Sequence, residues 1–438
     1  MASIQIVVVL FAILVGTRLK GIGLGIMGGL GLAVLVFGFH LRPTDPPIEV
    51  LMIITSVVTA AGTLEAAGGL RYLTLWAEHI IRRYPHRITF ISPLVVYLFT
   101  FLGGTGHIVY SILPVIADVA REMGVRPERP LSMAVIAAQQ AAIASPISAP
   151  TAIIVGLLAP EGIELIDILK ICIPATLAGV FVATLIVNKM GKELNQDPEY
   201  LKRLAIPQGD EKPLPVVLPA LKQGAQRSVG IFMIGIVVIV LLGSFKGLRP
   251  GWEYNGAWRL ISMPSTIEIV MLSMAALIVL ICRVDAQEIV KSKVFSAGMQ
   301  AVIAIMGISW LGDTFITAHK ADITALVQTQ IMQYPWQFSL ILFFMSIILV
   351  SQSATIRALI PLGLALGLPI TALIAALPAV NGLFFIPNYP TVLAAVSLDR
   401  TGTTRIGKWV LNHSFMLPGL VSTTTAVVVA HILVQYLF

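Results

Sequence analysis

The chain has 438 residues, 57% of them hydrophobic and 12% charged, with a formal net charge of +7. A soluble protein is about one quarter Asp, Glu, Lys and Arg, so a water-exposed body of this size lacks the charge to cover itself and a soluble enzyme is excluded. The basic residues sit in short clusters between apolar runs, with no patch interleaved with aromatic side chains, which excludes a nucleic-acid surface and fits membrane topology.

A bilayer-spanning helix needs roughly 20 mostly apolar residues. In chain order, runs of this kind lie at 3–17, 21–39, 49–70, 168–188, 228–243, 264–282, 294–315 and 410–437. Arg18 and Lys20 follow the first run rather than precede it, so it reads as a membrane helix and not a cleaved leader. GLGIMGGLGL at 23–32 lies inside an apolar run, where glycines serve close helix packing better than nucleotide binding. Cys172 and Cys282 are far apart in apolar runs, with neither a disulfide framework nor metal-ligand spacing. There is no HExxH, GxSxG or phosphate loop. The sequence therefore predicts no catalytic residue, cofactor or metal.

Four further apolar segments are interrupted. GGTGH at 103–107 splits 88–121, SPISAPT at 145–151 splits 131–159, SQSAT at 351–355 splits 336–367, and IPNYPT at 386–391 splits 368–398. Backbone that leaves a helix in lipid exposes unpaired N–H and C=O groups at several kcal/mol each, so it persists only where protein buries it or a polar cavity hydrates it. Half-helix N-termini also present free N–H groups and a positive dipole end, which suits an anion. Paired interruptions in two halves of a chain point to a transporter binding site.

The halves correspond. TGHIVYSILP at 105–114 faces QSATIRALIP at 352–361, Pro150-Thr151 faces Pro390-Thr391, and Ala61-Gly62-Thr63 faces Gly312-Asp313-Thr314. Repeat one is 1–188 and repeat two 228–438, joined by a polar, proline-containing linker at 189–227. If 88–121 and 336–367 are re-entrant hairpins entering from opposite sides, 22 of the 29 Lys and Arg share one side, the expected cytoplasm, and the linker with them. The expected fold is thus an all-α polytopic membrane protein. It has two inverted repeats, about ten transmembrane helices plus two opposed hairpins, and both termini on the outer, periplasmic face.

Arg357 stands just past the second hairpin break, between Ile356 and Ala358. A cation at membrane depth is a functional candidate by default, and its planar fork can grip a carboxylate; the alternative is a structural pair with Asp313 or Glu65. Polar groups at the breaks, Thr105, Gly106, His107, Ser145, Pro146, Ser148, Thr151, Gln352, Ser353, Thr355, Asn381, Asn388 and Thr391, are candidate ligands for a dianion or caps of their own helices. Glu65, Asp313 and Asp399 are candidates for coupling or gating.

Several strings match a known family: AAGGLRYL at 66–73, GTGHIVYSILPVIADVA at 104–120, ASPISA at 144–149, SWLGDTF at 309–315, LVSQSATIRALIPLGLAL at 349–366, GLFFIPNYPT at 382–391 and DRTGTTRIGKWVLNH at 399–413. On these, over essentially its full length, the chain resembles the anaerobic four-carbon dicarboxylate transporters of bacterial inner membranes, the Dcu family. The resemblance implies transport of fumarate, malate, succinate and aspartate, as fumarate/succinate antiport in anaerobic respiration. It also implies a basic residue at the Arg357 position that contacts substrate. More distantly the chain resembles the wider ion-transporter superfamily, which implies inverted repeats, two opposed hairpins, a homodimer and an elevator motion. Some carriers also contact a sensor kinase, a partner on which the sequence is silent. In sodium-coupled relatives Ser-Asn-Thr motifs line the hairpin tips; GGTGH and SQSAT here lack that motif, which argues against sodium. A sodium- or proton-coupled symporter of another organic anion is the alternative.

Overall fold

The structure, a computed structural model, describes residues 2–19, 22–46, 48–197, 200–201, 221–254, 256–319 and 333–438. Most of the 189–227 linker, and the side chain of His107, lie outside the described residues.

Helices α1 (Ala2–Leu19), α2 (Gly23–Ala33) and α3 (Ile48–Ala66) open the first half. The sequence suggests one run over 49–70, but the chain turns by 72° between α3 and a further helix, α4 (Gly69–Arg83). Gly68 makes the corner with φ 86°, a backbone that glycine adopts without steric cost. Helix α4 is amphipathic rather than a continuous apolar run. It buries Leu73, Thr74, Ala77 and Ile81 at helical spacing and keeps Arg82 outside, bonded to Glu78 and Glu122.

Next come α5 (Ile88–Gly103) and α6 (Val109–Glu122), then α7 (Glu128–Ala144), α8 (Ala149–Leu158) and α9 (Leu165–Val187). The second half holds α10 (Ala225–Ser244), strands β1 (Gly251–Tyr254) and β2 (Ala257–Leu260), α11 (Met263–Cys282), the short α12 (Ala286–Lys291) and α13 (Lys293–Ala318). It closes with α14 (Gln337–Leu349), α15 (Gln352–Ala365), α16 (Ile370–Ala376) with a 3-10 continuation to Phe384, α17 (Pro390–Leu398) and α18 (Met416–Leu437). The antiparallel β1–β2 hairpin pairs Trp252 with Arg259 and corrects the all-α expectation. Its alternating Trp, Tyr and charged residues suit a short exposed ribbon rather than a helix.

Among the described residues seven helices are long and apolar enough to cross a membrane, or eight if α3 and α4 count as one bent span. This is fewer than the ten crossings expected. Ile4–Ile13, Gly23–Gly38, Gln337–Leu349 and Ile370–Phe384 are apolar but short.

All four expected breaks exist. The first two fall at Gly104–Ile108 and Ser145–Ser148; the third falls at Val350 and Ser351, so SQSAT belongs to the first turn of α15. The fourth separates Phe384 from Pro390. Gly104 (φ 67°) holds the corner of the first break and Val350 (φ 49°) that of the third, both in the left-handed region, one a glycine and the other a strained β-branched residue. Between the breaks runs α7, all of whose 17 residues are buried. Its alanines at 134, 137, 138, 141, 142 and 144 let neighbouring helices close around it. Elsewhere α2 crosses α13 backbone to backbone: a Cβ added to Gly307 would lie 1.9 Å from the Gly25 carbonyl oxygen. That contact explains the glycine run at 23–32 as packing.

Candidate functional site

A cavity of about 950 Å³ opens where the four breaks meet. The tip between α5 and α6 contributes Gly103, Gly104, Thr105 and Gly106; α8 contributes Ala149 and Pro150. The second tip contributes Leu349 to Ala354, and the last break Asn388 to Thr391. Four helical N-terminal turns therefore border one space: Gly106 before α6, Ala149-Pro150 of α8, Gln352-Ser353 of α15 and Pro390-Thr391 of α17. First-turn N–H groups have no partner within their own helix, and each helix adds a partial positive charge at that end. No Asp, Glu, Lys, Arg or His is among the described residues that line the cavity. Its polarity comes from backbone, hydroxyls and amides.

The side chains that fix these breaks mostly face away from the cavity. Ser148 caps α8, accepting from the Thr151 N–H at 3.3 Å, while the Thr151 hydroxyl donates to the Ile143 carbonyl at 3.0 Å. Ser145 donates to the Phe101 carbonyl at 2.7 Å and so ties this break to the end of α5. In the second half Ser351 caps α15 through the Ala354 N–H at 3.2 Å, and Thr355 donates back to the Ser351 carbonyl at 2.7 Å. These are helix-terminus bonds of the ordinary kind.

A chain of amides joins the two halves behind the cavity. Gln352 Nε2 donates to the Gln139 carbonyl at 2.8 Å and also to Asn381 Oδ1. Asn381 Nδ2 donates to Gln140 Oε1 at 2.9 Å, and Gln140 Nε2 donates to the Thr423 hydroxyl at 3.3 Å.

Of the sequence candidates, Thr105, Gly106, Gln352, Ser353, Asn388 and Thr391 line the cavity. Ser145, Pro146, Ser148, Thr151, Thr355 and Asn381 stand behind it as caps and braces. Arg357 does not line it. Its Nη2 lies 3.4 Å from Asp313 Oδ2, joining α15 to α13, the structural pairing the sequence had offered as the alternative. Glu65 accepts from the Val294 N–H at 2.8 Å and caps the start of α13. Asp399 is enclosed by its own loop, accepting from the N–H groups of Thr401 at 2.8 Å and Thr404 at 2.6 Å and from the Thr403 hydroxyl at 2.8 Å. None of these four charged groups meets the cavity.

Sequence reasoning missed Gln139, Tyr110, Gln300, Ser351 and Tyr389, which also line it. The signal for Gln139 was its place in AAQQAA, two amides in a small, apolar segment next to a break. Gln139 is 5% exposed, and neither its Nε2 nor its Oε1 has a hydrogen-bond partner; the same holds for Thr391 Oγ1.

The family model for anaerobic C4-dicarboxylate membrane transporters matches residues 1–438. Relatives include the C4-dicarboxylate transporter DcuA of Wolinella succinogenes, 42% identical over 100% of both chains, and DcuA of Escherichia coli K12, 41% identical over 100% of both. The anaerobic C4-dicarboxylate transporter DcuB of Escherichia coli O6:H1 is 38% identical over 97% of each chain. The crystal structure of the YdaH transporter of Alcanivorax borkumensis is similar in fold, with a TM-score of 0.56 and 13% identity over 96% of this chain and 98% of that one. By full-length match, identity and multi-pass helical architecture, the chain belongs to the family of anaerobic C4-dicarboxylate membrane transporters.

Proposed function

We propose that the protein carries C4-dicarboxylates across the bacterial inner membrane by exchange, of the fumarate/succinate kind, and binds the dianion in the cavity between the four breaks. The observation that carries this reading is the meeting of four helical N-terminal turns in a space lined by no described charged side chain. Such a site holds two carboxylates through N–H groups and dipoles. The chain's relatives bear names that state C4-dicarboxylate transport.

The same geometry favours exchange. An empty cavity leaves the Gln139 amide and Thr391 Oγ1, and those first-turn N–H groups that no side chain caps, without partners in a low-dielectric setting, which is costly. A bound diacid satisfies the donors among them, so the loaded carrier crosses more readily than the empty one. In this reading 1–188 and 228–438 are inverted repeats, 88–121 and 336–367 are opposed re-entrant hairpins, and the breaks move as one body against α1, α2 and α13 within a homodimer. The linker and the basic loops then face the cytoplasm and both termini the periplasm. Arg357 acts through Asp313 as a link between α13 and α15 rather than as a grip on substrate.

The test is counterflow in proteoliposomes loaded with succinate, without sodium and without a pH gradient. Uptake of labelled fumarate is expected, and uptake that requires either gradient would overturn exchange in favour of symport.

A further inference from the structure

Two glutamines stand side by side on α7 with different fates. Gln140 has both ends of its amide bonded, to Asn381 and to Thr423. Gln139 lines the cavity, is 5% exposed, and has both ends unpartnered. A buried amide without partners costs about 1–3 kcal/mol, and native interiors rarely leave one so. Gln139 is therefore set to be completed by the ligand.

The chemistry of the amide says which part of the ligand. A carboxylate only accepts hydrogen bonds. The N-terminal turns around the cavity supply donors, and the Nε2 of Gln139 is one more. Its Oε1 is an acceptor, of no use to a dianion that offers none but acceptors. Thr391 Oγ1, also unpartnered on the cavity wall, adds a second group able to accept. An acceptor in a donor-rich site fits a ligand that carries a donor between its two carboxylates: a hydroxyl or an ammonium on the carbon chain.

We propose that Gln139 is the specificity-determining residue that reads the substituent of a 2-hydroxy or 2-amino C4-diacid, and so sets these apart from unsubstituted diacids. The inference rests on the proposed dicarboxylate site. Its test is ligand-induced thermal stabilisation of the purified full-length protein by succinate, L-malate and L-aspartate, comparing wild type with Gln139→Met, an apolar side chain of similar length. The half-saturating succinate concentration is expected to rise several-fold, for the lost Nε2 donor. Those for L-malate and L-aspartate are expected to rise about tenfold further, the size of one additional lost hydrogen bond to a substrate donor. Equal shifts for all three diacids, or none, would overturn the assignment. Gln139→Asn keeps the amide but withdraws it by one methylene; a smaller loss, again greater for the substituted diacids, is expected, and unchanged ratios would likewise overturn it. A wild-type protein that responds to no C4-diacid would instead sink the dicarboxylate site itself.

Discussion

Two buried polar regions follow opposite rules. Near the start of α7, Arg126 bonds Glu128 at 2.5 Å and also Asp197, while Arg129 reaches Glu193 at 2.9 Å and the carbonyls of Met190 at 2.8 Å and Gly191 at 3.1 Å. Ser414 donates to Glu128 at 2.6 Å, closing the 399–414 loop over this knot. Burial opposes the charge on Arg126, but its two carboxylate partners outweigh it and hold the guanidinium above its usual range. About three turns further along α7, Gln139 has no side-chain partner at either end. The knot spends full charges on mutual satisfaction and is architecture. The cavity uses neutral groups and leaves two of them, Gln139 and the Thr391 hydroxyl, open, which is how a ligand site differs from a joint.

Breaking the knot should show the larger effect. Arg126→Ala strands two buried carboxylates, and a loss of about 3–5 kcal/mol is expected, read as a steep fall in melting temperature in detergent whatever diacid is added. Arg357→Ala strands Asp313 in the same manner and should also destabilise. In Arg357→Met with Asp313→Leu much of the stability returns, and exchange returns with it if Arg357 only pairs. A stable double variant without exchange would mean that the guanidinium meets the substrate after all.

Smaller effects sharpen the contrast. Ser414→Ala removes a satisfied bond to a buried carboxylate and should cost about 1–3 kcal/mol. Thr391→Val removes a hydroxyl that bonds nothing in the protein. Stability should change by under about 0.5 kcal/mol while fumarate exchange falls several-fold; a melting-temperature loss like that of Ser414→Ala would erase the distinction.

The mildest effect is a pH dependence. His413, beside the knot, donates from Nε2 to the Phe385 carbonyl at 3.2 Å and accepts the Phe415 N–H at Nδ1, also at 3.2 Å, an arrangement of the neutral ring. Burial lowers its pKa despite the carbonyl, which favours the charged form. A lowered folded pKa gives stability that is present above the unfolded value of about 6.5 and lost as pH falls below it. The melting temperature should therefore drop modestly between pH 7 and pH 5, and the slope should flatten in His413→Gln.

What could be read in advance follows from local chemistry. Glycine, proline and hydroxyl clusters inside apolar runs located all four breaks, because little else stops a helix in lipid. Thr105, Gly106, Ser353, Asn388 and Thr391 could be named because they sit at those breaks and line the cavity. Arg357 stood out as a charge inside an apolar run, yet sequence alone left its pairing with Asp313, 44 residues away, as one option among several. Helix α4 was hidden because an amphipathic pattern is no apolar run, and Gln139 because an amide in mid-helix looks the same whether or not it finds a partner.

Val350 carries a last consequence, for how the chain enters the membrane. Gly103 and Gly104 interrupt 88–121 in any setting, whereas 336–367 has only the polar cluster SQSAT, which the structure takes into the first turn of α15, and no glycine at the corner itself. Left to local preference, 337–365 would form one helix of about 43 Å at 1.5 Å per residue, more than the roughly 30 Å of a hydrocarbon core. It would then cross outright and reverse the orientation of every later segment. The Ser351 cap is local, but the bond from Gln352 to the Gln139 carbonyl holds the corner only once α7 is in place. On the proposed hairpin topology, the orientation of the second half is thus decided late, by a helix synthesised some two hundred residues earlier.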